Sequence, residues 1–120
     1  MSAYQMGAIE SRFADLIWAQ EPISSTELVR QAQELLGWKK STTYTVLKRL
    51  CEKGIFQNDR GTVTSVISRE KFAALQSEQF VEETFDGSLP AFLAAFTTQK
   101  PLTKEEVDFL QQMIDSYEEN

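Results

Sequence analysis

The sequence predicts a mainly α fold with one small β-hairpin, and three observations carry that prediction. Apolar residues recur at helical spacing in several separate stretches, each bounded by Ser, Thr, Pro or Gly signals. A single short region, Ile55 to Ile67, is instead rich in β-branched residues and is broken by Asp59-Arg60-Gly61. The stretch from Trp38 to Gly54, WKKSTTYTVLKRLCEKG, reads as a helix with one greasy side and one basic, hydroxyl-rich side.

Taken in order, the first helix is expected from about Gly7 to Ala19, where Ile9, Phe13, Leu16 and Ile17 share a face. Glu21-Pro22 ends it, because proline disfavours helix in the residue before it. Ser24 opens a capping box with Glu27, and Leu28, Ala32, Leu35 and Leu36 form the inner stripe of a second helix that stops at Gly37. A third helix follows within a few residues, with Ser41 as N-cap, Lys53 near its negative end and Gly54 just beyond. Thr43, Val46, Leu47, Leu50 and Cys51 fall on one half of its wheel, and Ser41, Thr42, Tyr44, Thr45, Lys48, Arg49 and Glu52 on the other. Two helices joined this closely, the second carrying hydroxyl and basic groups in its first turns, have helix-turn-helix spacing. The hairpin from Ile55 to Ile67 comes next, and three helices followed by a two-stranded ribbon is the winged-helix order.

Ser68 caps a fourth helix that ends near Gly87, with Phe72, Leu75, Phe80, Val81 and Phe85 as candidates for burial. After Ser88, the run Leu89 to Phe96 has no polar side chain, and a helix that is apolar all round must be enclosed on all sides. Pro101 closes that stretch. Thr103 and Glu106 then make another capping box before Val107, Leu110, Ile114 and Tyr117, which are spaced like a short coiled-coil seam. Six of the eight phenylalanines lie in this half, more apolar surface than three short helices can bury among themselves. The organisation expected is therefore a winged-helix DNA-binding domain over residues 1–69 and a helical dimerisation region over residues 70–120. Phe72, Phe80, Phe85, Leu89, Phe92, Leu93, Phe96, Val107, Leu110, Ile114 and Tyr117 are its candidate dimer contacts. A ligand pocket around Phe92, Leu93 and Phe96 is the weaker reading, because no polar group nearby would orient a small molecule.

Composition narrows the function classes. At 120 residues with 42% apolar content, the chain has room for one domain, or for a small domain plus an extension that borrows its core from a partner. It has no run long enough to cross a bilayer and no secretory leader pattern, so a soluble cytoplasmic protein without membrane partners is expected. One cysteine and no histidine leave the usual zinc and copper sites without ligands, so neither a metal nor another cofactor is expected. Without histidine, a Gly-rich phosphate loop, a GxSxG elbow or a carboxylate pair in an apolar setting, the chain does not read as an enzyme.

The net charge of −6 looks wrong for a DNA binder until it is divided by position. Through Arg69 the chain has nine Lys or Arg against seven Asp or Glu; from Glu70 on, it has three against eleven. Between Gly37 and Arg60, six cations face only Glu52 and Asp59. A phosphate footprint needs a local patch rather than a basic whole. First-turn side chains reach base edges while rim residues meet phosphates, which assigns Thr42, Tyr44, Thr45 and Lys48 to the groove and Lys39, Lys40, Arg49 and Arg60 to the backbone, with Ser41 at the start of the face. A solvated helix face is the bland alternative for these charges. Arg49, at the edge of the face, suits either a phosphate contact or a structural ion pair. Thr43 and Cys51 read as small core residues, Cys51 lacking a resolving cysteine for redox work, and Trp38 reads as a packing anchor.

These residues resemble the penicillinase repressor (BlaI/MecI/CopY-type) family of bacterial transcription factors. Trp38, Thr42, Thr45, Val46-Leu47, Arg49-Leu50 and Lys53-Gly54 are similar to that family's W-x-x-x-T-x-x-T-[LVI]-[LI]-x-R-L-x-x-K-G. Glu10, Trp18, Pro22, Phe85-Asp86-Gly87-Ser88 and Leu102-Thr103-Lys104-Glu105-Glu106 add to the likeness. The resemblance implies a winged-helix homodimer that represses transcription at a palindromic operator and is relieved by a signal, proteolysis in some members and copper in others. Two departures stand out. Copper-responsive members carry a CxCxxxxCxC motif where this sequence reads Asp115-Ser116-Tyr117-Glu118-Glu119-Asn120, and the Asn-Phe bond cut in the β-lactam-responsive members is matched here by Ala95-Phe96. The function expected is that of a repressor reading DNA through Ser41 to Lys53; a winged-helix protein-interaction module without sequence-specific DNA binding is the alternative.

Overall fold

A computed structural model describes residues 4–118. Its helices are α1 (Ala8–Gln20), α2 (Ser25–Leu36), α3 (Lys40–Glu52), α4 (Arg69–Phe85), α5 (Leu89–Gln99) and α6 (Lys104–Glu118), with strands β1 (Ile23–Ser24), β2 (Phe56–Asp59) and β3 (Thr62–Ser65). This is a mainly α winged helix-turn-helix followed by further helices, as the periodicities predict.

The local signals act largely where the sequence puts them. α1 stops at Gln20, and Glu21 is extended ahead of Pro22. Ser24 caps α2, its hydroxyl accepting from the Glu27 amide at 3.0 Å, and Gly37 closes the helix in the left-handed conformation at φ +70°. The return half of that capping box is missing, because the Glu27 carboxylate accepts hydrogen bonds from Arg30 and Gln31 instead. α3 is capped two residues earlier than expected, with Lys39 rather than Ser41 at the N-cap position, so Ser41 lies in the first turn and does not cap. Ser68 and Ser88 accept from the amides of Lys71 and Ala91 at the starts of α4 and α5. At α6 the predicted box is complete: the Thr103 amide donates to Glu106 at 2.8 Å and the Glu106 amide to the Thr103 hydroxyl at 3.1 Å.

The hairpin turns on Arg60 and Gly61, at φ 54° and 90°, the double left-handed geometry whose twist suits a two-residue loop. The Asn58 side chain accepts from the Gly61 amide at 3.0 Å and pins the turn. The sheet has three strands rather than the two expected, in order β1-β3-β2 and antiparallel throughout. The extra strand pairs Ile23 with Val63 and Ser24 with Thr62, tying the start of α2 to the wing. Two residues after a proline give no alternation to read, which is why this strand left no mark in the sequence.

The chain divides into two compact units between Gln79 and Phe80, ten residues past the boundary expected at Arg69. The first unit holds the core: Phe13 and Ile17 of α1, Leu28 and Ala32 of α2, Val46, Leu47 and Leu50 of α3, and Ile55, Phe56 and Val63 of the wing are all buried. Phe72 belongs to this core as well. It is 5% exposed, and its ring centroid lies 5.5 Å from that of Trp18 and 5.9 Å from that of Tyr4. Trp18 also packs on Phe56 and donates its indole N–H to the Ile67 carbonyl at 3.1 Å. Phe72 thus anchors the start of α4 on the winged helix, while most of its neighbours in the first two turns stay exposed.

In the second unit no described side chain is buried. Phe80, Phe85, Phe92 and Phe96 form a connected ring cluster with centroids 5.6 to 6.0 Å apart, most of them edge-on. Even so, Leu89, Val107, Phe109, Ile114 and Tyr117 are about half exposed or more.

On α2, hydrogen bonds from Arg30 and then Gln31 hold the Glu27 carboxyl down, from 4.5 to about 2. A depressed carboxylate adds stability that is complete above its unfolded value and disappears as the pH falls through the folded one. Acid unfolding between about pH 4.5 and 2 is therefore expected to be shallower in Glu27→Gln, and the difference should shrink at high salt because the pair is solvent-exposed. Circular dichroism of the two proteins against pH checks this.

Candidate nucleic-acid interface

The burial of α3 divides its side chains cleanly. Thr43, Val46, Leu47 and Leu50 are buried in the first unit, whereas Ser41, Thr42, Thr45, Lys48 and Arg49 are exposed. Thr43 thus lies in the core as its place on the wheel predicts, its hydroxyl donating to the Lys39 carbonyl at 3.2 Å. Thr45 donates to the Ser41 carbonyl at 2.9 Å, which leaves its oxygen lone pairs and methyl group facing outward. Ser41 and Thr42 have no side-chain hydrogen bond among the described residues.

Tyr44 is placed differently from its neighbours. It is half-buried, and its hydroxyl lies 3.2 Å from the Ser25 hydroxyl. Ser25 is itself buried and donates its amide to the Gly61 carbonyl at 2.8 Å, so one residue touches α3, α2 and the wing turn. Nothing in the sequence marks Ser25 for this junction, since Ser24 beside it carries the recognisable cap.

The cations also separate. Lys39, Lys40 and Arg60 are exposed and make no ion pair among the described residues. Lys48 lies 4.0 Å from Glu52 of the same helix, both well exposed, an arrangement that contributes little. The Arg49 guanidinium sits 2.7 Å from Glu10 of α1. Lys53 donates to the Gln5 carbonyl at 3.3 Å, and Gln76 donates to the neighbouring Tyr4 carbonyl at 2.9 Å. Beside Lys48, a shallow crevice of about 320 Å³ is lined by Tyr44, Leu47, Cys51 and Asn58. Burial pushes the Cys51 thiol up, so the group stays protonated and unreactive at neutral pH.

A helix seated by its apolar side on a helix-turn-helix core, with hydroxyls and cations outward, is shaped to enter a major groove. The model of the penicillinase repressor family matches residues 6–116. The chain belongs to the penicillinase repressor family. It is similar to the penicillinase repressor of Bacillus licheniformis, at 24% identity over 117 residues that span 94% of this chain and 91% of that protein. It is also similar to the methicillin resistance regulatory protein MecI of Staphylococcus aureus, at 19% identity over 115 residues, 92% of this chain and 94% of the other. The MecI of Mammaliicoccus sciuri matches over the same length at 18%. These relatives are named as regulators and not as enzymes. No described helix is long and apolar enough to cross a membrane, and no described group of three or more His, Cys, Asp or Glu side chains is placed to hold a metal ion.

The remaining candidates lie in the second unit. Phe80, Phe85, Phe92 and Phe96 come together in the ring cluster, while Leu89, Val107, Ile114 and Tyr117 stay open to solvent, and Leu93 and Leu110 are half-buried. Phe72 does not join them, being enclosed in the first unit. The 3-4 spacing also passed over Phe109 and Met113, which lie four residues apart beside the Leu110–Ile114 row and are 65% and 44% exposed. Counting the whole apolar arc of α6, rather than a heptad seam alone, would have found both.

Proposed function

We propose that this protein is a homodimeric transcriptional repressor that binds a palindromic double-stranded DNA operator in the cytoplasm through α3. The observation that carries the reading is the division of that helix, with Thr43, Val46, Leu47 and Leu50 in the core and Ser41, Thr42, Thr45 and Lys48 outward. Thr42 and Thr45 offer oxygens and methyl groups to base edges, with Ser41 and Lys48 flanking them. Lys39 and Lys40 at the helix start and Arg60 on the wing meet phosphates. Tyr44, held by Ser25 inside the protein, steadies the helix on its core, and Arg49 is engaged by Glu10 of α1. The open apolar faces of α5 and α6 support pairing with a second copy, and a palindromic operator would then offer one half-site to each α3. The relatives named penicillinase repressor and methicillin resistance regulatory protein support the regulatory role.

Selection of bound sites from random duplex DNA tests this directly, and a two-fold symmetric consensus is expected. No preference at moderate salt would overturn the reading in favour of a protein-interaction module. On the selected site, Thr42→Ala is expected to lose discrimination at one position per half-site by about 1 kcal/mol or more while keeping non-specific binding. Lys39→Ala should weaken all duplexes about equally and reduce the salt slope by about 1.

A further inference from the structure

Arg49 lies on the exposed side of α3, yet its Nη1 is 2.7 Å from Oε1 of Glu10, a residue thirty-nine positions away in the chain. Glu10 is the better-covered partner, its side chain 24% exposed against 48% for Arg49, and it stands in the first turn of α1, where the helix dipole favours a negative charge. The charge of the carboxylate is thus favoured by its own helix. It draws the guanidinium toward α1 and gives it the oxygen that a DNA phosphate would otherwise supply.

We propose that Glu10 sets the DNA affinity of this protein by holding Arg49 out of phosphate contact. The inference rests on the reading of α3 as the DNA-binding helix. A cation strengthens DNA binding through the counterions it displaces from a phosphate, and a guanidinium already matched by a carboxylate displaces none. A phosphate approaching Arg49 also meets the negative charge of Glu10. Lys39, Lys40 and Arg60 are not restrained in this way among the described residues. Non-specific binding depends almost wholly on phosphate contacts, so withholding one lowers it without touching the threonines that face outward for base readout.

The test is affinity against salt concentration for the full chain and for Glu10→Gln, Arg49→Gln and the double variant, on a random-sequence duplex and on the selected operator. Glu10→Gln is expected to bind both DNAs about threefold to tenfold more tightly, with the slope of log K against log salt steeper by about 0.9. Arg49→Gln alone should stay within about twofold of the native protein, and the gain from Glu10→Gln should vanish in the double variant. If the glutamine keeps the guanidinium through a neutral hydrogen bond, Glu10→Ala must show the gain; its absence from both variants overturns the proposal. A gain that persists without Arg49 also overturns it, as does a flatter salt slope in Arg49→Gln alone. Failure of the native chain to bind any duplex would sink the DNA-binding reading itself, whereas operator binding that ignores Glu10 sinks this inference alone.

Discussion

Phe96→Asp is expected to convert the proposed homodimer to monomers and to weaken binding to a symmetric operator by about 100-fold or more, with single half-site binding unchanged. Phe96 is 43% exposed and sits at the edge of the ring cluster, 6.0 Å from Phe92, so a carboxylate there stays solvated in the lone chain. In a dimer the same carboxylate would be buried among phenylalanines with no partner, which costs several kcal/mol by the usual estimates for an unpaired charge. The asymmetry between the two states makes the substitution selective for association. Loss of the dimer removes the second half-site as a tethered partner, and with it the effective concentration that multiplies two weak contacts. Sedimentation velocity at micromolar concentration, followed by titration of whole and half operators, reads both consequences. A variant that remains dimeric and binds as the native protein does would place the self-contact elsewhere. For a fragment lacking the second unit, the place to stop is after Gln79, because ending the chain at Glu70 would remove Phe72 from the core around Trp18.

The same contrast explains how much of the molecule was legible in the sequence. α1 to α6 and the wing follow from apolar spacing together with caps at Ser24, Ser68, Ser88 and Thr103, because those signals act within a few residues and need no tertiary context. The outward face of α3 was legible for the same reason: Thr43 is sent inward and Thr42 outward by helix geometry alone. What lay beyond the sequence depends on pairings between distant segments. Strand β1 exists because Ile23 finds Val63, and the expected boundary at Arg69 moved because Phe72 finds Trp18 and Tyr4. The start of α3 at Lys40 was missed for another reason, since no side-chain cap fixes it and backbone geometry alone decides the residue. Glu10 stood out only through family likeness, and its partnership with Arg49 required α1 and α3 to be packed together.

Phe56→Ala is expected to destabilise the first unit by about 3–5 kcal/mol. Phe56 is 1% exposed, opens β2 directly after Ile55, and packs on Trp18 with ring centroids 5.1 Å apart. Truncating it leaves a cavity bounded by α1 and the sheet, where the indole is held at its far end by the Ile67 carbonyl and cannot simply swing in. A small domain is stable by only about 5–15 kcal/mol, so much of that margin would go. Both tryptophans of the chain, Trp18 and Trp38, lie in this unit, Trp38 against Phe13 at 5.1 Å, so selectively excited tryptophan fluorescence during urea unfolding reports on it without a contribution from α5 or α6. The transition midpoint should move down by one molar or more, given a slope of about 1–3 kcal/mol per molar. Phe56→Leu, which keeps most of the volume, should cost far less. DNA binding in Phe56→Ala should fall for every sequence in proportion to the unfolded fraction and return on cooling toward the temperature of maximum stability. A base-contact variant such as Thr42→Ala behaves oppositely, losing discrimination while its unfolding curve stays put. A Phe56→Ala protein with a native midpoint would mean that the wing and α1 are held together by something other than this aromatic contact.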